Sequence, residues 1–333
     1  MKKVLVLGAT GAMGRYLVPE LINLQYQVTG VGLEAFAPWS ADAEYIQGNA
    51  FDKEFLNSLL KRRFDGIVNF MDYGSYDFSD YYKLFLENTD HYIFLSTCRV
   101  YDDLEQPIRE TSPRLLDSST DEVLKASHDY CIHKAQDEDL LAASPYQNWT
   151  IVRPATTFST MRLQLVTLEF QNSVGRALMG KKVLLPIQAQ DKPATLSWGG
   201  DVAKMIARIL FCEKSMRECY NVCSAEHRTW AEIAEYYHRL VGLEAVWIDK
   251  EDYLAILSPE MKIQVRWQLE YARLFRRITD NSKVLALTGL RQEDMMPMYE
   301  GLKLEIGNIP ADYAPTDTEV GLRMDDYIQK HNL

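Results

Sequence analysis

The chain opens with "KVLVL", an apolar run rich in valine and leucine with no polar break. Such a run predicts a strand covered on both faces, as in a parallel sheet. The next stretch, "GRYLVPELINLQY", repeats its apolar positions at helical spacing, and "QVTGVG" returns to the strand pattern. Together they predict one β-α-β unit. The rhythm continues through the strand "EYIQGN", the helix "DKEFLNSLLKRRF", the strand "GIVNFM", the helix "DFSDYYKLFLEN", the strand "HYIFLST", a helix in "HDYCIHKAQDEDLL" and the strand "WTIVRP". Alternation at this spacing predicts an α/β fold, a doubly wound parallel sheet with helices on both faces.

From about Ala155 the pattern loosens. Two helix-like stretches, "LQLVTLEFQNSVGRALMG" and "WGGDVAKMIARILF", flank the turn-rich "KKVLLPIQAQDKPATLSW"; "ECYNVCS" reads as a further strand, and "TWAEIAEYYHRLVG" opens a mainly helical C-terminal third. No Pro/Ser/Gly linker, internal repeat or low-complexity tract separates these parts, which predicts a second lobe built onto the first. The expected division is a nucleotide-binding domain over 1–155, with 196–225 returning to it, and a smaller substrate-binding lobe over 156–195 and 226–310. The polar tail, 311–333, has regularly spaced acids and is expected to pack loosely.

Composition narrows the function classes. The 333 residues are 47% hydrophobic, enough for a sizeable core, and 47 acidic against 36 basic residues leave a net charge of −11. That balance argues against nucleic acid or an anionic membrane surface as the main partner. No apolar run has the length of a membrane span, and the apolar core of "MKKVLVLGATG" is too short for a signal peptide, so a cytoplasmic protein is expected. Five cysteines (98, 131, 212, 219, 223) without CxxC spacing predict reduced thiols and no structural metal site.

The first β-α junction carries the strongest motif. "VLVLGATGAMGR" places Gly8, Gly11 and Gly14 between strand and helix, where glycines permit a tight turn and let backbone N–H groups approach a pyrophosphate at the positive helix end. Thr10, Ala12 and Met13 complete that loop. A second pattern is softer: Tyr130 and Lys134 stand four apart, on one face of the predicted helix. Spacing alone leaves them a catalytic pair or two residues that share a face.

"GATGAMG", "FLSTCRVYDD", "PIRETSP", Tyr130 with Lys134, "IVRP", "DVAKMIARIL", "YNVCSAEHRTWAEIAEYY" and "DNSKVLALTGL" follow one another in an order that resembles the extended short-chain dehydrogenase/reductase superfamily, the NAD-dependent epimerase/dehydratase family. The resemblance covers nearly the whole length and implies a Rossmann-type sheet that binds NAD or NADP. It implies that Tyr130 is the general acid/base of a hydride transfer, that Lys134 favours its phenolate and holds the nicotinamide ribose, and that Thr97, with Ser96 as the adjacent candidate, orients the reacting oxygen. Asn49 stands where an adenine-binding aspartate is usual. His128 and His133 lack a carboxylate at ligand spacing, and Cys98 and Cys131 lack the motif of a thiol mechanism, so no metal is expected. The aromatic run "DYGSYDFSDYYKLF" reads either as pocket lining or as a packed helix face.

Four departures from the family pattern bear on the substrate. The acid that selects NAD at the end of strand two is replaced by Gly32, followed by Leu33 and Glu34, with Arg15 the nearest cation for a 2′-phosphate. The interval between "IVNF" and "HYIFLST" is short, which leaves a homodimer less supported. "IQAQDKPATLSW" offers Lys192 where sugar-nucleotide enzymes carry an arginine, and "ATTFST" replaces the Tyr-Gly-Pro that usually follows "IVRP". The expected function is an NAD(P)-dependent oxidoreductase, epimerase or dehydratase acting on a hydroxyl or ketone of a small polar substrate, for example a sugar derivative. The alternatives are a non-catalytic NAD(P) sensor and an RNA-binding relative, the latter disfavoured by the absence of a basic stripe.

Overall fold

The computed structural model describes residues 1–36 and 39–333, with 75–77 described by their backbone alone. Seven parallel strands form the central sheet: β1 (Lys3–Leu7), β2 (Gln27–Gly32), β3 (Ala43–Gln47), β4 (Gly66–Asn69), β5 (His91–Leu95), β6 (Trp149–Arg153) and β7 (Glu218–Asn221). Their order across the sheet is β7-β6-β5-β4-β1-β2-β3. Every residue of β5 and β6 is buried, which is why the sequence shows continuous apolar runs there rather than alternation.

Helices cover both faces. Val4 and Val6 of β1 point to α1 (Gly14–Asn23) and to a later helix, Gly199–Ile209, meeting Leu17, Val202 and Ile206. Leu5 and Leu7 point the other way, into a core with Leu56 of α2 (Lys53–Leu60), Phe78 and Phe85 of α3 (Gly74–Leu86) and Leu141 of α4 (Tyr130–Ala143). The aromatic run before β5 belongs to this core. Tyr73, Phe78 and Tyr81 are buried, and the phenols of Tyr73 and Tyr81 donate to the carbonyls of Ala50 and Phe51, so this part is a packed helix face with polar tips. The side chain of Tyr76 in the same run lies outside the described residues.

The strand order reverses between β1 and β4, and the crevice beyond their carboxyl ends is where open α/β sheets bind ligands. The second lobe closes over that crevice. It is held by Val183–Pro186 paired in parallel with Ala245–Ile248, by Pro193–Ala194 paired antiparallel with Arg228–Thr229, and by the helix Trp230–Val241. Thr229 caps that helix in a reciprocal box with Glu232, and Gly242 at φ 69° ends it. Across the cleft, Ile108 in the β5–α4 loop donates to Ile278 (2.7 Å) and accepts from Asp280 (2.8 Å), which ties the first domain to the lobe.

Three expectations fail in the lobe. The stretch 163–180 is mostly irregular: only Val174–Leu178 forms an α-helix, while Leu163, Leu165, Val166 and Leu168 are buried in extended and turn conformations. Apolar spacing over so short a run does not distinguish helix from a folded loop. The turn-rich stretch 181–198 supplies three short strands, whose partners lie elsewhere in the chain: Ala245–Ile248 for Val183–Pro186, Arg228–Thr229 for Pro193–Ala194 and Thr156–Phe158 for Leu196–Trp198. The polar tail docks. Its helix Glu319–His331 inserts Met324 into the lobe core, and Asp325 pairs with the buried Arg176 (2.6 Å) and with Lys181 (2.8 Å).

Candidate active site

The glycine turn sits at the head of the crevice. Gly8 adopts φ +76°, a conformation that favours glycine, and a Cβ on Gly14 would fall 2.5 Å from the Gly8 carbonyl oxygen and 2.6 Å from that of Ala9. The turn therefore packs backbone directly on backbone. Helix α1 starts without a side-chain cap, and among the described residues the N–H groups of Thr10, Ala12 and Met13 find no acceptor. A row of free donors at a helix start suits a pyrophosphate. Gly8, Thr10, Gly11, Ala12, Met13 and Gly14 all line a cavity of about 410 Å³, which fits a dinucleotide laid along the strand ends.

Glu34 closes the far end of this cavity. Its carboxylate accepts from the Thr10 hydroxyl (2.8 Å), and its carbonyl accepts from the Tyr45 phenol. Glu34, two residues beyond Gly32, is thus an acid in the cavity wall. Asn49 is not brought in: it is exposed, its side-chain oxygen accepts from the Phe51 N–H (3.0 Å), and its neighbours Gly48 and Ala50 line the wall instead. Arg15 is not part of the lining.

Helix α4 brings Tyr130 to the opposite end, while Lys134 of the same helix does not line the cavity. Asp129 starts the helix by accepting from the Cys131 N–H (3.1 Å), which sets the tyrosine on its first turn. Lys134, buried one turn on, donates to the Leu95 carbonyl at the end of β5 (3.0 Å) and pairs with Asp72 (3.2 Å). Its ammonium lies 6.0 Å from the centre of the Tyr130 ring. Thr97 follows β5 and lines the same cavity beside Tyr130, whereas the Ser96 hydroxyl is spent on Glu138 (2.5 Å). Ser96 and Thr97 both line the cavity, and the Thr97 hydroxyl accepts from the Arg99 N–H (3.1 Å) and is within hydrogen-bonding reach of the Tyr130 phenol.

The phenol is tuned differently from the expectation. Burial and the Asp72 charge push the Tyr130 pKa up to about 12, while Arg99, the Thr97 hydroxyl and Arg162 pull the other way. The charge of Lys134 is shared with Asp72 and does not prevail. Burial would raise the Asp72 carboxyl and lower His133, but their hydrogen bond (2.9 Å) reverses both, with Lys134 adding to the effect on Asp72. His133 is thereby a partner of Asp72, with no metal-holding group of His, Cys, Asp or Glu among the described residues. Cys131, raised to about 12 by burial and then by Asp129, stays a thiol at neutral pH.

A buried ion pair fixes the helix to the sheet. The Arg153 guanidinium on β6 grips Glu138 of α4 through Nε (2.7 Å) and Nη2 (2.5 Å) and donates to the Tyr101 phenol (2.7 Å). One turn before Glu138, the same helix presents Lys134; beside Glu138, Asp137 is buried with an unpartnered Oδ2 and is pushed by burial up to about 7.

Thr97 and Tyr130 also line a second, adjoining cavity of about 350 Å³ that runs under the lobe. Among the described residues its charged lining consists of Arg99, Arg162, Arg273 and Arg277, with no aspartate or glutamate. Lys192, the cation offered by the sequence, lines neither cavity. These arginines come from a strand-end turn, the loop after "IVRP" and the segment "YARLFRR", and the only sequence signal for them was the arginine density of that last stretch.

Comparison with known proteins places this geometry. Residues 4–223 match the model of the NAD dependent epimerase/dehydratase family. No curated protein matches the chain. Among solved structures, the epimerase Mth375 of Methanothermobacter thermautotrophicus is similar at 15% identity with a TM-score of 0.69, over 99% of this chain and 94% of that one. A dTDP-glucose 4,6-dehydratase from Bacillus anthracis, solved with NAD, gives 18% and 0.68 over 92% and 96%. A UDP-glucuronic acid 4-epimerase from Bacillus cereus, solved with UDP-glucuronic acid and NAD, gives 16% and 0.65 over 92% and 98%. At such identities the likeness speaks for the fold.

Proposed function

Because the chain belongs to the NAD-dependent epimerase/dehydratase family, we propose that it uses NAD to oxidise or reduce a carbinol carbon of a small polar substrate, with Tyr130 handling the proton. One observation carries this reading: Tyr130 and Thr97 form the wall shared by the two adjoining cavities, so one phenol faces both a cofactor and a substrate. NAD bound along the glycine turn would accept or return a hydride.

The chain's own residues divide the remaining work. Free amides of the glycine turn would hold the pyrophosphate, and Glu34 would accept from the ribose hydroxyls while repelling a 2′-phosphate, which favours NAD over NADP. Thr97 would fix the reacting oxygen by hydrogen bonding. With its pKa pushed up to about 12, Tyr130 rests as the protonated phenol, ready to donate to a carbonyl oxygen as hydride arrives at carbon. In the oxidative direction the phenol would first release its proton to solvent, a loss eased by the positive charges of Arg99 and Arg162. The phenolate oxygen would then take the proton of the substrate hydroxyl as hydride leaves carbon. Lys134, buried outside the cavity lining and anchored to Leu95 and Asp72, would hold the helix turn that carries Tyr130.

The test is mass spectrometry of small molecules released by denaturing the purified protein, followed by assay of the refilled protein and Tyr130→Phe against sugar derivatives. Retained NAD with turnover lost in the variant supports the proposal. Equal turnover in the variant would remove Tyr130 from the mechanism.

A further inference from the structure

The second cavity is built for a charge that the protein does not supply. Four arginines line it and no acid does, in a chain whose net charge is −11. Clustering like charges in a partly closed space is costly unless something of opposite sign enters. Among the described residues only Arg99 has a carboxylate partner there, Asp129 at a long 3.4 Å. Arg277 gives three of its five N–H groups to the carbonyls of Tyr101 (2.9 Å), Tyr271 (3.0 Å) and Ala272 (3.4 Å) and adds its charge to the cavity.

The other arginines keep donors in hand. Arg273 is 8% exposed; it donates to the Thr156 hydroxyl (2.9 Å) and the Gln164 oxygen (3.0 Å), and its Nε has no partner. Nε of Arg99 and the hydroxyl of Thr279, a residue only 2% exposed, are likewise buried without partners. Arg162 stands at the junction of both cavities, exposed; its backbone pairs with Ser159, and its guanidinium has no hydrogen-bond or ion-pair partner among the described residues. Buried donors are normally satisfied, and several orphans around one cavity point to a missing acceptor. Burial and the neighbouring Arg99 charge also depress Arg273, to about 9, a repulsion that an anion would relieve.

We propose that this cavity binds a compact anionic carbohydrate, whose carboxylate or phosphate monoester is held by Arg99, Arg162 and Arg273 while its reacting hydroxyl or ketone meets Tyr130. Guanidinium forks match both oxyanions. The Arg99 guanidinium carbon lies 5.2 Å from the centre of the Tyr130 ring, so the anion sits close to the reacting carbon. At about 350 Å³ the cavity lies within the range of ligand sites, roughly 300–1,000 Å³. The closeness of Arg99 to Tyr130 favours an anion carried on the reacting sugar itself over one on an attached nucleotide. The assignment rests on the function proposed above for Tyr130, yet it can fail separately.

Isothermal titration of the full-length protein, with and without saturating NAD, tests it using glucose 6-phosphate, glucuronate, uncharged glucose and UDP-glucose. At least one of the two small anions is expected to bind about tenfold tighter than glucose or more, the discrimination typical of a charged hydrogen-bonding group. Arg162→Gln, at an exposed position that spares folding, and Arg273→Gln are each expected to weaken that anion about tenfold and leave glucose unchanged. Whichever of glucose 6-phosphate and glucuronate binds tighter identifies the oxyanion. Anions that bind no better than glucose, or UDP-glucose binding tightest with neither arginine mattering, would overturn the proposal. Failure to bind NAD while the anion preference persists would overturn the redox reading and leave the anion site standing.

Discussion

The two ends of the cleft are built from different materials. At the cofactor end the working groups are backbone amides on a turn of three glycines, held by contacts between main-chain atoms of Gly8, Ala9 and Gly14. Across Tyr130, the substrate end is built from charged side chains contributed by segments far apart in the chain, with Arg99, Arg162, Arg273 and Arg277 converging on one space. The difference teaches where specificity resides. A backbone cradle accepts any dinucleotide pyrophosphate, whereas four converging guanidinium groups select by charge and shape.

Substitutions can break that contrast at graded cost. Tyr130→Phe acts where the two ends meet: turnover should fall about 10²–10⁴-fold, the usual worth of general acid/base catalysis, while NADH affinity stays unchanged in a fluorescence titration. Glu138→Ala strips the buried Arg153 of its carboxylate and should cost about 3–5 kcal/mol in urea unfolding, because the helix carrying Tyr130 loses its anchor.

Asp137 makes the side-chain half answer to pH. Its folded pKa, about 7, lies above the unfolded value near 3.9, so the folded state binds more protons between those limits and stability falls as pH rises through that window. Asp137→Asn should flatten the fall, recovering on the order of 1–4 kcal/mol at pH 8 relative to pH 4, read from unfolding curves at both pH values. An unchanged pH profile would mean the carboxylate ionises freely where it is.

Gly14→Ala probes the backbone half, where the added Cβ meets two carbonyl oxygens. It should destabilise by about 1–3 kcal/mol and weaken NADH in the same titration, with little effect on anion binding. Glu34→Gln is the mildest change. The ratio of NADPH to NADH dissociation constants should drop about tenfold, since one charge facing the ribose is removed.

These halves were unequally legible in the sequence. The glycine turn is contiguous, its chemistry depends on the main chain, and the strand and helix on either side announce themselves by periodicity, so Gly8, Gly11 and Gly14 could be placed from residues alone. Glu34 was visible but lay two positions from the usual site, and only the fold of the β2–β3 connection shows that it reaches Thr10. The arginine pocket was not legible, because its parts are brought together by the β5–α4 loop and the segment near Ile278, a pairing that local pattern does not encode. Tyr130 and Lys134 lie on one helix as expected, but the balance of charge around the phenol depends on Asp72, far away in the sequence in the loop after β4. The docked tail was missed for a related reason: its acids looked like a solvated face until the buried Arg176 supplied their partner.

The central claim is that the glycine cleft holds NAD with Glu34 at its ribose end and Tyr130 at its reactive end. Titrating the emptied protein with NADH and NADPH, following nicotinamide fluorescence, tests it most directly. The account predicts saturable binding of one NADH per chain, about tenfold tighter than NADPH, preserved in Tyr130→Phe and weakened in Gly14→Ala. Binding of neither nucleotide, or affinity indifferent to Gly14, would contradict it.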